Sequence, residues 1–280
     1  MLFQADGIGV TFGGLRALED VSFAVAPHEI FAIVGPNGAG KTTALNCISR
    51  FYDVTTGRLV FKGRDITRVR PHAIADLGIA RTFQNIELFK NTTVVQNLLL
   101  GRHRHRRSSL LGETVFTRGV RRQEIESREK VETIVDFLDL QAFRDQVVGS
   151  LPYGVQKTVE LGRALAMEPE LLLLDEPSSG LNPEESEDLS FWMNDIKEEL
   201  GITIVLVEHN MRLVKAVSDR VLALNFGHAG TLGRQPRRGS RRPRTDHDRH
   251  SRSAHLRRSA WRVEHRDRRR AESVVPGRRS

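Results

Sequence analysis

Short apolar runs divided by glycine and polar turns fill the first third of the chain. Residues 3–10, 21–25 and 30–34 are rich in β-branched and aromatic side chains and predict strands, with Gly13-Gly14 turning between the first two. Residues 57–63 predict another strand bounded by glycines. Pro71 opens a short helix through Leu77, and residues 78–84 return as a strand ending in a polar residue. The pattern then changes. A helix starts at Thr93, and a second over 124–138 sets Val131, Ile134, Val135 and Leu138 on one face. From Glu170 strands and helices alternate. Residues 171–175 form a continuous apolar run of the kind buried on both faces, followed by helix 184–200, strand 202–207, helix 211–217 and strand 220–224. This rhythm implies an α/β fold with a mainly parallel core sheet covered on both faces, into which a helical segment is inserted.

One connection within this pattern carries chemistry. Gly35-Pro36-Asn37-Gly38-Ala39-Gly40-Lys41-Thr42 fills every fixed position of G-x-x-x-x-G-K-[ST]. It lies between the apolar run ending at Val34 and a helix that begins Thr42-Thr43. Glycines let successive N–H groups turn inward on phosphate oxygens, and the helix N-terminus adds about half a positive charge on the same target. Lys41 is the candidate for the β- and γ-phosphates, and the Thr42 hydroxyl for Mg²⁺. The four leucines at 171–174 end in Asp175-Glu176, acids at the C-terminal end of a buried strand, where ligands bind in such sheets. Asp175 is the candidate to hold Mg²⁺ through water, and Glu176 to polarise an attacking water.

Charge divides the chain. The net charge of +8 over 280 residues comes from the end: residues 228–280 hold 17 arginines, no lysine and five acids, whereas residues 1–227 carry a net −4. The six larger apolar side chains of that tail are too few to offset the entropy of ordering 53 residues, so 228–280 is expected to be disordered. Its Arg, Ser, Gly, Pro and His bias favours a reading-frame shift near Gly227; the alternative is a basic arm that binds nucleic acid or anionic lipid. Arg102-His103-Arg104-His105-Arg106-Arg107 is read as a solvated loop, with contact to membrane headgroups as the lesser alternative. No apolar run approaches the roughly 18 residues that span a bilayer, and the N-terminus lacks a signal-peptide pattern. The single cysteine, Cys47, is read as a buried small hydrophobe in a chain suited to a reducing cytosol.

With these motifs in order, the chain resembles the ATP-binding subunit of an ABC transporter over residues 2 to about 227. The resemblance extends through Arg81-Thr82-Phe83-Gln84-Asn85, Leu151-Pro152-Tyr153-Gly154-Val155-Gln156, Ser179-Gly180-Leu181-Asn182 and Val207-Glu208-His209-Asn210. It implies a P-loop NTPase with an antiparallel N-terminal β part and a helical subdomain at about 85–166. It implies that Gln84 touches Mg²⁺ and the water, that His209 contacts the γ-phosphate, and that Phe12 stacks on adenine. Gly154 would face the γ-phosphate of a second subunit in trans. The segment at 151–156 departs from the usual Leu-Ser-Gly-Gly-Gln, with Pro152 in place of the serine, and Asn182 replaces the usual Asp. These variants are similar to the ATPases of branched-chain amino-acid importers. The resemblance then implies ATP and Mg²⁺ as ligands and a head-to-tail dimer with an identical or paralogous subunit. It also implies transmembrane permease partners, an extracytoplasmic solute-binding protein acting indirectly, and a place on the cytoplasmic face of the membrane. The acidic body argues against nucleic acid, which would be the contact of a soluble ABC-type ATPase using the basic tail.

Overall fold

The computed structural model describes residues 1–82, 86–105 and 118–234. Two sheets organise it. The first is antiparallel, in the order β2-β1-β4-β5, from β1 (Phe3–Phe12), β2 (Leu15–Val25), β4 (Thr56–Phe61) and β5 (Arg64–Asp65). The second has the order β10-β9-β3-β8-β7-β6, from β3 (Ile30–Val34), β6 (Ile79–Arg81), β7 (Leu171–Asp175), β8 (Thr203–Val207), β9 (Arg220–Asn225) and β10 (His228–Arg234). Its inner pairs are parallel, and only the β9–β10 pair is antiparallel.

The period of two along the central strands sorts their side chains into two cores. Phe31, Ile33, Leu171, Leu173, Val205 and Val207 face the antiparallel sheet, with helix α1 (Lys41–Ile48) packed between through Ala44, Leu45, Cys47 and Ile48. Ile30, Leu172, Leu174, Ile204 and Leu206 face the other way. That second core takes in α3 (Val94–Gly101), α4 (Arg118–Phe137), α5 (Tyr153–Ala166), α6 (Pro183–Glu198) and α7 (Met211–Val217). A short α2 (Pro71–Ile74) precedes β6, and α3, α4 and α5 pack on one another. Among the described residues no helix is long and apolar enough to cross a membrane.

Three expectations need correction. β2 begins at Leu15, because Arg16 and Leu18 pair with Thr11 and Val10 across the Gly13-Gly14 turn, although Glu19 and Asp20 interrupt the apolar pattern. Arg102 is buried and is not part of a solvated loop: it pairs with Glu168 at 3.1 Å and donates to the Ala166 carbonyl, with Lys130 at 3.8 Å from the same carboxylate. Residues 106 and 107 of that cluster lie outside the described residues. The segment expected to be disordered from 228 opens with β10. Phe226 and Gly227 both have positive φ, 44° and 82°, as a two-residue hairpin turn of this twist requires, and the returning strand pairs through its backbone from His228 to Arg234. Residues 235–280 lie outside the described residues.

Candidate active site

The register of the parallel strands assembles the site. Ile33 of β3 and Asp175 of β7 are both level with Val207 of β8. The three chains therefore leave the sheet at one edge, and the Gly35 loop, Glu176 and His209 emerge side by side. This is the C-terminal edge at which ligands bind in open α/β sheets.

The phosphate-loop residues divide by exposure. Pro36, Asn37, Gly38 and Thr42 face solvent, Thr43 is half-buried, and Ala39 is buried. Gly40 caps α1 at φ +96°, and a Cβ there would lie 2.6 Å from the Ala17 carbonyl, so no other residue fits. The Lys41 ammonium is buried against the loop and donates to the carbonyls of Gly35 at 2.9 Å and Pro36 at 3.0 Å. The first-turn N–H groups of α1 have no partner within the helix and point toward the loop. Glycine freedom, N–H donors and a lysine thus converge on a site shaped for a polyphosphate.

Asp175 is 2% exposed. Its Oδ2 accepts from Arg81 at 2.9 Å, and its Oδ1 is buried with no hydrogen-bond partner among the described residues. Arg81 also donates to Asn46 Oδ1 at 2.6 Å and Ser49 Oγ at 2.9 Å, and lies over the Phe51 ring. Glu176 stands at φ +47°, its N–H held by the Val207 carbonyl and its carbonyl by the Ser179 N–H. Its Oε2 is 3.7 Å from Nδ1 of His209, whose ring is more than half exposed. Glu208, unread from the sequence, is fully buried, and its carboxylate accepts from the N–H groups of Ser178, His209 and Asn210. Arg81 was legible only as part of a motif. A charged residue ending an apolar strand was the one signal for either.

Phe12 ends β1 half-exposed and meets Tyr52 edge-on at 5.0 Å, while Ala17 and Leu18 of the next strand lie against Gly40. Gly154 falls in the first turn of α5, behind Pro152 as the N-cap. Its Cα touches Glu185, since a Cβ would sit 2.1 Å from Glu185 Oε1. Tyr153 packs on Gly180. Asn182 caps α6, accepting from Glu185 N–H at 2.9 Å, and Glu185 accepts in return at 2.9 Å, which an Asn does as well as an Asp. Gln84 lies outside the described residues. Lys157 of α5 lines a cavity of about 150 Å³ with Thr82, Gly154, Pro177 and Trp192. Burial pulls its pKa down, opposed by the carboxylates of Glu160, Asp175 and Glu208.

Fold and site together define a P-loop nucleotide-binding ATPase. The family of ABC transporters matches residues 18–179. The chain is 38% identical over 226 residues to the high-affinity branched-chain amino acid transport ATP-binding protein BraF of Pseudomonas aeruginosa, covering 81% of this chain and 89% of that protein. It is 35% identical to LivG of Escherichia coli K12, a protein of the same description, with the same coverage. Among solved structures, a nucleotide-free ATP-binding cassette from an ABC transporter aligns with a TM-score of 0.73 at 33% identity, covering 84% of this chain and 92% of that one. The ADP conformation of the cassette MJ1267 aligns with a TM-score of 0.73 at 33% identity, over 83% and 91%. The chain belongs to the ABC transporter family, binds ATP and hydrolyses it.

Proposed function

We propose that this ATPase energises the uptake of branched-chain amino acids, as a peripheral subunit on the cytoplasmic face of a membrane permease. The reading rests on the strand register that sets the Gly35 loop, Glu176 and His209 at one sheet edge, with Glu176 and His209 3.7 Å apart. The transport names of the relatives favour it over a soluble ATPase acting on nucleic acid.

In this reading the loop N–H groups and Lys41 hold the triphosphate, and Phe12 stacks on the base. Glu176 takes the proton of the attacking water, and His209 reaches the γ-phosphate. The buried Oδ1 of Asp175, without a hydrogen-bond partner among the described residues, fits a hard cation. Asp175, Thr42 and Gln84 would hold Mg²⁺, which when bound supplies positive charge to the β- and γ-phosphate oxygens. Gly154 of a second subunit, identical or paralogous, completes the site in a head-to-tail dimer. A cleft of about 340 Å³ beside Arg81, lined by Phe51, Pro71, Ile74, Leu100 and Arg163, is the proposed seat of the permease.

The test is Glu176→Gln in the full chain. ATP affinity is expected to hold while turnover falls by about 10²- to 10⁴-fold, the worth of a general base. Turnover close to that of the parent chain overturns the assignment.

A further inference from the structure

We propose that Glu208 is a positioning residue of the ATPase site, clamping the loop that carries Glu176 to the loop that carries His209. The proposal rests on the roles given above to those two residues.

Glu208 leaves the end of β8, and its side chain is 0% exposed. Oε1 reaches across to the neighbouring loop and accepts from Ser178 N–H at 2.9 Å. Oε2 serves its own loop, accepting from His209 N–H and Asn210 N–H, both at 3.0 Å. The backbone ties the same point to the sheet: Glu208 N–H approaches the Ile33 carbonyl of β3 at 3.4 Å, and Glu176 N–H donates to Val207 at 2.9 Å. One carboxylate therefore spans the two loops, directly above the strand that leads into the phosphate loop.

The geometry explains why an acid stands there. Three N–H donors arrive from two directions and need two acceptor oxygens, whereas an amide offers one acceptor and turns an NH₂ on the other donors. Each loop also needs the restraint. Glu176 holds a positive φ that a side chain of its size rarely adopts, and such a conformation persists only where its surroundings over-determine it. The turn after Glu176, closed by Ser179 N–H to the Glu176 carbonyl at 3.0 Å, presents Ser178 N–H to Glu208. On the other loop Asn210 caps α7, accepting from Arg212 N–H at 3.1 Å. His209 is thus pinned by its backbone on both sides, while its ring stays exposed toward the Glu176 carboxylate. Charge balance comes from the helical side, where Lys157 on α5 carries its ammonium among Asp175, Glu160 and Glu208. The clamp sets the Glu176–His209 geometry without itself touching the nucleotide.

The experiment compares Glu208→Gln, Glu208→Asp, Glu176→Gln, His209→Ala and the double variant Glu208→Gln/His209→Ala in the purified full chain. It reads kcat and KM for ATP and the melting temperature. For Glu208→Gln the expected result is a fall in kcat of about tenfold or more with KM within about threefold, the split of an interaction made only in the transition state. Glu208→Asp keeps the charge and the two local donors but is too short for Ser178, and should lie between Gln and the parent. In the His209→Ala background the Gln substitution should add less than about threefold, because both act through one geometry. A folded Glu208→Gln chain with kcat within about twofold of the parent overturns the proposal, as does a loss carried by KM alone or a fully multiplicative double variant. If Glu208→Gln does not fold, the same split in Glu208→Asp decides. Full turnover in Glu176→Gln overturns the site reading itself; lost turnover in Glu176→Gln and His209→Ala beside an unaffected Glu208→Gln overturns the clamp alone.

Discussion

Lys41 and Cys47 share one helix and meet opposite environments. Lys41 opens α1 with its ammonium held on two loop carbonyls, and in the proposed reading it exchanges them for phosphate oxygens. Lys41→Ala is expected to weaken ATP binding by about tenfold or more, through loss of charge-assisted bonds. Calorimetry checks this, and unchanged affinity counts against the phosphate loop. Cys47, a turn and a half later, is fully buried, and burial pushes its thiol up to about 12 from 9.0. The folded state therefore holds this proton where the unfolded chain has lost it. The associated stability is complete below pH 9.0 and declines as pH rises toward about 12. Alkylation by iodoacetamide at pH 8.5 should accordingly require unfolding, with labelling in urea faster by about 10²-fold or more. Rapid labelling of the native chain sinks this. The glycine loop and the Asp175-Glu176 pair were legible residue by residue, since their chemistry needs those residue types at that spacing. Arg81, Asn46 and Glu208 were not: their partners lie on other strands and loops, at separations no local pattern records.

At the scale of elements, α6 shows how a departure from the family pattern is accommodated. Asn182 and Glu185 satisfy each other's N–H groups at its start, with Pro183 in its first turn. Asn182→Ala should cost about 1 kcal/mol of stability by urea denaturation, whereas Asn182→Asp should cost about a few tenths or less. Equal losses in both would assign Asn182 a role beyond the cap. The strands and helices between Glu170 and Asn225 were readable because each presents either a continuous apolar run or a single apolar face. The first half of β2 was not, since its exposed polar residues are held by pairing with β1 and by the Glu19 N–H donating to the Gly227 carbonyl, both distant in the chain. Buried Arg102 escaped for a related reason: its counter-ion Glu168 is distant in sequence, and the arginines around it read as solvent-facing.

For the whole molecule the open question is the arginine-rich end. The chain pairs through Arg234, and the charge excess lies beyond the acidic body. Deleting residues 235–280 is expected to leave ATP affinity and the urea midpoint unchanged. If the segment acts as a basic arm, the full chain binds DNA or anionic vesicles in a salt-sensitive way and the shortened chain does not. A lowered midpoint after deletion would show instead that the segment packs on the body. Translating the other frames of the coding DNA across residues 224–232 separates a genuine arm from a frame shift.

The sequence by itself determined the α/β rhythm, the phosphate loop, the strand-ending acids and the helical insertion, because period, glycine freedom and residue chemistry are local properties. Only the tertiary structure decided that Ile33, Asp175 and Val207 lie level, which makes one edge out of three loops. It also decided that Arg81 and Glu208 hold those loops from beneath, and that backbone pairing carries β10 past the change in composition. Register and buried polar partnerships join residues distant in the chain. They are chosen by which pairings leave the fewest buried donors and charges unmet, a condition set only in the packed molecule.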